Sequence, residues 1–201
     1  MTDNNIVSNN DESIVDDKAY EEALSDFTKR LIVVELPKKA EGDFTKYIKR
    51  VSGINCALAL INNETNTITL LQDDFNAPYD EFNLWVIAIK NSAEMSHLNE
   101  DVSNKEQNLY IVQSHSGRAL VCCDEFWDKL CEQLGELRLI VSLYNREDKG
   151  TFIIASTIDA DEKMNMKQYL YMANKEDESR ESYVYVRNVG MLSEAALNSE
   201  S

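Results

Sequence analysis

The stretch that decides the fold runs Leu109-Tyr-Ile-Val-Gln113, Ser114-His-Ser-Gly-Arg118, Ala119-Leu-Val-Cys-Cys123, Asp124-Glu-Phe-Trp-Asp-Lys-Leu-Cys-Glu-Gln-Leu134 and Gly135, then Leu137 to Tyr144, Asn145-Arg-Glu-Asp-Lys-Gly150 and Thr151 to Ser156. Short runs rich in Val, Ile and Leu, bounded by polar and Gly-containing breaks, read as strands. Ser114 to Arg118 has the length of a hairpin break and contains a glycine, which predicts that Leu109–Gln113 and Ala119–Cys123 pair as strands. Phe126, Trp127, Leu130, Cys131 and Leu134 then recur at helical spacing. Asp124 is placed to cap that helix and Gly135 to end it, with Glu125 and Asp128 in the first turn, where the helix dipole favours anions. Leu137–Tyr144 and Thr151–Ser156 form a further hairpin.

The same grammar extends outward in both directions. Tyr20, Leu24, Phe27 and Leu31 predict an amphipathic helix from Asp16, followed by a buried strand Leu31–Leu36 that Pro37 stops. Phe44, Tyr47, Ile48 and Val51 predict a short helix over Asp43–Val51. Asn55–Ile61 and Thr67–Leu71 flank the turn-forming Asn62-Asn-Glu-Thr-Asn66 as a hairpin. Asp80 is a natural N-cap for a helix running to Met95, with Phe82, Trp85, Val86, Ile89 and Ala93 on one face. His97–Asn108, acidic and amide-rich, reads as a loop. Asp159 and Glu162 match a capping box ahead of a helix through Met166, Tyr169, Leu170 and Ala173, and Tyr183–Asn188 reads as a last strand. Strand pairs with helices between them imply an α+β fold: a mostly antiparallel sheet built from hairpins, with helices packed on one face. The expected organisation is a disordered acidic tail over 1–15, one α+β domain over 16–190 and a polar C-terminal tail over 191–201.

Composition narrows the function classes. The 201 residues hold 43% hydrophobic and 28% charged side chains, six Gly and two Pro, as in ordinary globular proteins. The longest apolar run, around Leu84–Ile89, is far short of a membrane span, and the opening Met-Thr-Asp-Asn-Asn has no basic or hydrophobic leader, so a cytoplasmic protein is expected. Cys56, Cys122, Cys123 and Cys131 form no CxxC pair and stand beside aliphatic residues; they suit a reducing compartment and are expected to pack as small hydrophobes, Cys122 and Cys123 pointing to opposite faces of a strand. The outlier is charge: 36 acids against 20 bases give −16. Met1–Thr28 alone carries eight acids and one lysine, a net −7. So acidic a chain is repelled by DNA, RNA and anionic membranes, and a partner with a basic surface suits it better.

No arrangement of residues meets the demands of catalysis. Ser114-His115-Ser116 next to Arg118 suggests a polar turn site at His115 and Arg118, yet neighbouring turn residues diverge, whereas a nucleophile and its base must share a hydrogen bond. A G-x-S-x-G elbow is absent, as are the GxGxxG and GxxxxGK[ST] phosphate loops, so no nucleotide cofactor is expected. Asp159-Ala-Asp161 opens like a calcium loop without its glycine and closing glutamate, and the pairs Asp73-Asp74 and Asp80-Glu81 fit helix caps and solvated faces, so no metal is expected. Tyr169, Tyr171, Tyr183 and Tyr185 suit core and cross-strand packing.

Leu109-Tyr-Ile-Val-Gln, Ala119-Leu-Val-Cys-Cys, Glu125-Phe-Trp-Asp-Lys-Leu-Cys-Glu-Gln-Leu-Gly135, Leu139-Ile-Val-Ser-Leu and Tyr183-Val-Tyr-Val together resemble a family of uncharacterised proteins from anaerobic gut Gram-positive bacteria. The resemblance covers about the last 120 residues and departs from the family at Ser142-Leu-Tyr-Asn-Arg, where the family has a serine-rich turn. It implies the strand and helix order already read and a bacterial origin, and it supplies no activity, because the family has none assigned. The expected function is therefore that of a non-enzymatic accessory or protein-interaction protein, with Asp16, Asp17, Glu21, Glu22 and Asp26 as partner-binding carboxylates. An acidic inhibitor or DNA mimic of a nucleic-acid-binding enzyme is one alternative, and a small hydrolase-like enzyme around His115 is another.

Overall fold

Residues 10–36, 46–51, 53–104, 109–146, 150–156 and 182–193 are described by a computed structural model. In chain order they form helix α1 (Asn10–Arg30), strands β1 (Leu31–Glu35), β2 (Ile48–Val51), β3 (Ile54–Asn62) and β4 (Thr67–Leu70), helix α2 (Glu81–Glu94), strands β5 (His97–Asn104) and β6 (Leu109–Ser114), a 3-10 helix (Gly117–Cys122), helix α3 (Asp124–Leu134), and strands β7 (Arg138–Arg146), β8 (Gly150–Ser156), β9 (Ser182–Val186) and β10 (Gly190–Ser193).

The fold is α+β with antiparallel pairing, and its strands divide between two sheets. In the smaller one β3 is central: β1 lies along one edge, while β2 and β4 share the other, in registers Ile48↔Ala57 and Ala59↔Leu70. The larger sheet has the order β10-β9-β7-β8-β6-β5. Its hairpins join through β6–β8 and β7–β9. Leu31-Ile-Val-Val34 is continuous rather than alternating because β1 is buried on both faces. Leu31 and Val33 join the main core, while Ile32 and Val34 pack with Ala57, Ala59 and Ile61 in a second cluster. The main core draws on both sheets and is filled from between by Leu84 and Trp85 of α2, Leu120 of the 3-10 helix and Trp127 and Leu130 of α3.

Several expectations are corrected. The helix expected from Asp16 begins at Asn10, ahead of the boundary set at residue 15; residues 1–9 lie outside the described residues. Instead of a helix, Asp43–Val51 ends in the strand Ile48–Val51, because two β-branched residues pair with β3 across a turn at Gly53; residues 43–45 lie outside the described residues. α2 is rotated relative to its expected face: Phe82 and Val86 are exposed, whereas Leu84, Trp85, Ala88, Ser92 and Ala93 are buried. The loop expected over His97–Asn108 is the bulged edge strand β5 as far as Asn104. Ala119–Cys123 is no strand but the 3-10 helix, so β6 pairs with β5 and β8 instead. A strand, β10, replaces the start of the tail expected from residue 191. The helix expected after Asp159, with Tyr169 and Tyr171, lies outside the described residues. Among the described residues no helix is long and apolar enough to cross a membrane.

The caps of α2 and α3 differ in kind. Asp80 Oδ1 accepts from Asn83 N–H at 3.0 Å, the expected N-cap bond. α3 starts at Cys123 without a side-chain cap, Asp124 standing inside its first turn, and ends at Gly135, whose φ of +73° lies in the left-handed region that favours glycine. The bond to Asn83 N–H holds the Asp80 carboxyl below its usual range. A depressed carboxyl stabilises the fold above its unfolded value and ceases to do so as pH falls through the folded value. Asp80→Ala should therefore lower the thermal midpoint at pH 7, and the deficit should begin to narrow only below about pH 4, as melting curves at pH 7 and well below pH 4 would reveal.

Candidate functional site

The sequence-predicted residues occupy two separate places, the segment following β6 and the helix α1. After β6 the chain turns at His115 and Ser116 and enters the 3-10 helix through Gly117, whose φ is +57°. Ala119 N–H donates to Ser116 O at 3.1 Å and Cys123 N–H to Leu120 O at 3.0 Å, closing the tight turns. Ala119, Leu120 and Val121 are buried where the segment touches β1 and β3 of the smaller sheet and β7 and β8 of the larger. It is a plug between the sheets.

The polar turn does not come together as a site. His115 is exposed, whereas Arg118 turns inward to β1, where its Nε donates to both oxygens of Glu35 at 2.9 Å and its Nη2 also bonds Oε1. Ser114 and Ser116 are buried. Ser96 Oγ stands 2.7 Å from both Ser114 Oγ and Ser92 O, Ser116 N–H donates to Ser114 Oγ at 3.1 Å, and Val33 N–H donates to Ser92 Oγ at 2.9 Å. These serines tie β1, α2 and β6 together by satisfying buried polar groups. Both histidines, His97 and His115, are exposed, apart from these hydroxyls.

The carboxylates of α3 are likewise structural. Asp128 Oδ1 accepts from Asn188 N–H at 2.9 Å and lies 2.9 Å from the Tyr185 hydroxyl, holding the β9–β10 turn on the helix. Burial, with Asp128 nearby, raises the Asp124 carboxyl above its usual range. Tyr183 and Tyr185 are buried in the core.

Three cysteines converge instead. Cys56 on β3, Cys122 and Cys123 all pack in the main core, and because Cys122 ends the 3-10 helix the neighbours Cys122 and Cys123 are not alternating residues of a strand as expected. When protonated, Cys122 donates to Ala119 O, 2.9 Å away. Hydrogen bonds from Cys123 and then Cys56 favour its thiolate and hold it well below the ordinary thiol value, while the same bonds and burial push Cys56 and Cys123 up. Burial pushes Cys131 up to about 11. Among the described residues no group of three or more His, Cys, Asp or Glu side chains is arranged to hold a metal ion.

Helix α1 is held to the body at its C-terminal end. Its last turns are fixed by Asn91 Nδ2, which donates to Thr28 O at 2.6 Å and Leu31 O at 2.8 Å, by Arg30 Nε on Ile61 O at 3.0 Å, and by Phe27 stacked on Phe75 at 5.6 Å. Upstream, all six residues from Lys18 to Ala23 are exposed. Six residues exceed one helical turn, so no face of the helix there rests on the body. Glu21, Glu22 and Asp26 are exposed, with Lys18 3.8 Å from Glu22 and Arg30 3.1 Å from Asp26. Asp16 and Asp17 belong to the same helix, one to two turns further out. The anchors Asn91 and Arg30 carry no signal in sequence, because both act through backbone carbonyls far away along the chain, of α1 and β1 for Asn91 and of β3 for Arg30.

Comparison of the chain with protein-family models, with curated proteins and with solved structures gave no match.

Proposed function

We propose that the protein is a non-enzymatic, cytoplasmic interaction protein of bacterial or mobile-element origin, and that the projecting part of α1 is the element that engages a basic partner surface. One observation carries this reading: the helix keeps its form beyond its last anchor while exposing every face over Lys18–Ala23, including Tyr20, which is 63% exposed. A helix that packed only on its own domain would bury its apolar stripe. Here the stripe reaches the body at Phe27 but leaves Tyr20 in water, beside Glu21 and Glu22. An amphipathic tyrosine among carboxylates provides a contact area for a partner, and the surrounding charge provides steering toward a basic one.

The test is capture from the native cell at low salt with the wild-type chain and with Tyr20→Ala/Glu21→Gln/Glu22→Gln. The substitutions lie off the anchored end, so the fold should be unchanged. The expected result is a partner that the wild type retains, the variant loses at least tenfold, and salt of about 0.5 M releases, because such salt shortens the screening length to a few ångströms. An identical set captured by both chains would dismiss the reading. If the captured protein were a nuclease whose activity the wild type suppressed, the more specific inhibitor reading would replace that of an accessory protein.

A further inference from the structure

We propose that the protein pairs with a second copy of itself along the outer edge of the smaller sheet, where β4 and β2 lie end to end and together present the edge of one uninterrupted strand. β2 pairs with the first half of β3 and β4 with the second, both antiparallel, so the two run in the same direction. In such pairing alternate residues direct both backbone groups to the same neighbour. Leu71 N–H donates to Leu58 O at 2.9 Å and Leu58 N–H to Tyr47 O at 3.1 Å, which turns Leu58 toward this edge at the point where the two strands meet. By alternation Thr67, Thr69, Lys49 and Val51 face β3, whereas Ile68, Leu70, Ile48 and Arg50 direct N–H and C=O outward. These four stand opposite Ile61, Ala59, Ala57 and Asn55, every second residue of β3, so the period of two carries across the break in the chain. Among the described residues neither strand has a neighbour on that outer side.

The outer side of β1 is occupied by the plug and by Ser92 Oγ on Val33 N–H, and β5 is bulged and carries Glu100 and Asp101. β4 has no such protection: Thr67-Ile-Thr-Leu70 contains no charge and no proline, its pairing with β3 is unbulged, and Ile68 is 43% exposed. Lys49, of a type that guards many edges, is turned onto α2, its Nζ 4.7 Å from the centre of the Trp85 ring and 3.9 Å from Glu81. A second copy fits because the edge is complementary to itself. A twofold axis at the level of Leu58 pairs the two edges antiparallel and sets Ile68 against Arg50 of the second copy, Leu70 against Ile48, Thr69 against Lys49 and Thr67 against Val51. Each basic residue then meets an uncharged one and no like charges are opposed. Leu70 and Ile48 already pack on the second core cluster and extend it across the axis. Each outward pair exchanges both N–H···O bonds. An extended segment of another protein would satisfy the same backbone groups, but only a second copy brings this complementary order of side chains with it.

The experiment is sedimentation velocity on the full-length chain over a concentration series, in about 0.3 M salt so that the repulsion between two chains of −16 is screened. The expected result is a monomer–dimer equilibrium. Ile68→Pro removes an outward donor and none of the bonds to β3, and Ile68→Lys opposes two cations at both ends of the interface. Each should weaken the dimer roughly tenfold or more. Ile68→Lys/Arg50→Glu should restore it, since each new cation then faces a new anion, and a rescue of that kind does not arise from a general loss of folding. A wild-type chain that stays monomeric at millimolar concentration would overturn the proposal and leave the edge to an extended segment of another protein. A dimer that neither single substitution weakens would overturn it as well.

Discussion

Trp127→Ala should lower the thermal midpoint by roughly 10 °C or more, the largest effect expected of any single substitution in this chain. The indole is fully buried, meets Phe126 edge-on at 5.1 Å and lies 6.0 Å from the Tyr185 ring. Its Nε1 also donates to Leu120 O at 2.9 Å, so this side chain ties α3 to the 3-10 plug. Truncating a buried aromatic costs about 3–5 kcal/mol. In a chain of this size each kcal/mol moves the midpoint by about 2–4 °C. The Leu120 carbonyl would lose one of its two partners in the same substitution, keeping Cys123 N–H. Trp127→Phe, which keeps most of the volume and loses the donor, should fall between the wild type and the alanine variant in a calorimetric scan. A midpoint within about 3 °C of wild type for the alanine variant would mean that α3 does not anchor the plug.

The second large effect is expected at the ion pair between the plug and the smaller sheet. Arg118→Ala should cost about 2–3 kcal/mol, less than the roughly 3–5 kcal/mol of a fully buried pair, because some water reaches both ends. The side chains of Arg118 and Glu35 are 18% and 24% exposed, and their geometry is bidentate. Most of the cost is that of leaving Glu35 charged and poorly solvated. Arg118→Ala/Glu35→Gln should therefore be destabilised by less than the sum of the single variants, with a coupling of about 1 kcal/mol or more in denaturant unfolding. Strict additivity would contradict the pairing.

The elements that could be read from sequence are those whose periodicity leaves one solution. Phe126, Trp127, Leu130 and Cys131 specify α3 because no strand pattern fits them, and all four are buried as expected. The hairpin β3–β4 follows from Asn62, whose side chain accepts from Glu64 and Thr65 N–H in the turn. Ala119–Cys123 was ambiguous in principle: a five-residue apolar run fits a buried strand or a buried helical turn equally, and the hairpin-length break before it favoured the wrong one. β5 and β10 hid for another reason. Both are edges of the larger sheet, paired on one side only, where polar sequences such as His97-Leu-Asn-Glu are tolerated and even protective.

Two stripes compete along α2, and the buried one differs from the expected one by one face. Phe82 and Val86 are the bulkier choice, but the small Ala88 and the hydroxyl of Ser92 allow the helix to approach β1 and to satisfy Val33 N–H. The candidate site divides in the same way. The exposed acids Glu21, Glu22 and Asp26 stand where their spacing put them, on a helix, whereas the separation of Arg118 from His115 depends on Glu35, 83 residues away in sequence. The thiol cluster needed the same long-range information, since Cys56 meets Cys122 only once β3 and the plug are packed.

The most direct measurement of the role assigned to α1 is hydrogen exchange on the full-length chain, alone and bound to the protein that it captures. Amides of Lys18–Asp26, on a helix with few anchors, should exchange quickly in the free chain and become strongly protected in the complex, while α3 and the plug change little. Protection confined to the larger sheet or to the His115 turn, with α1 exchanging as fast as before, would contradict the account.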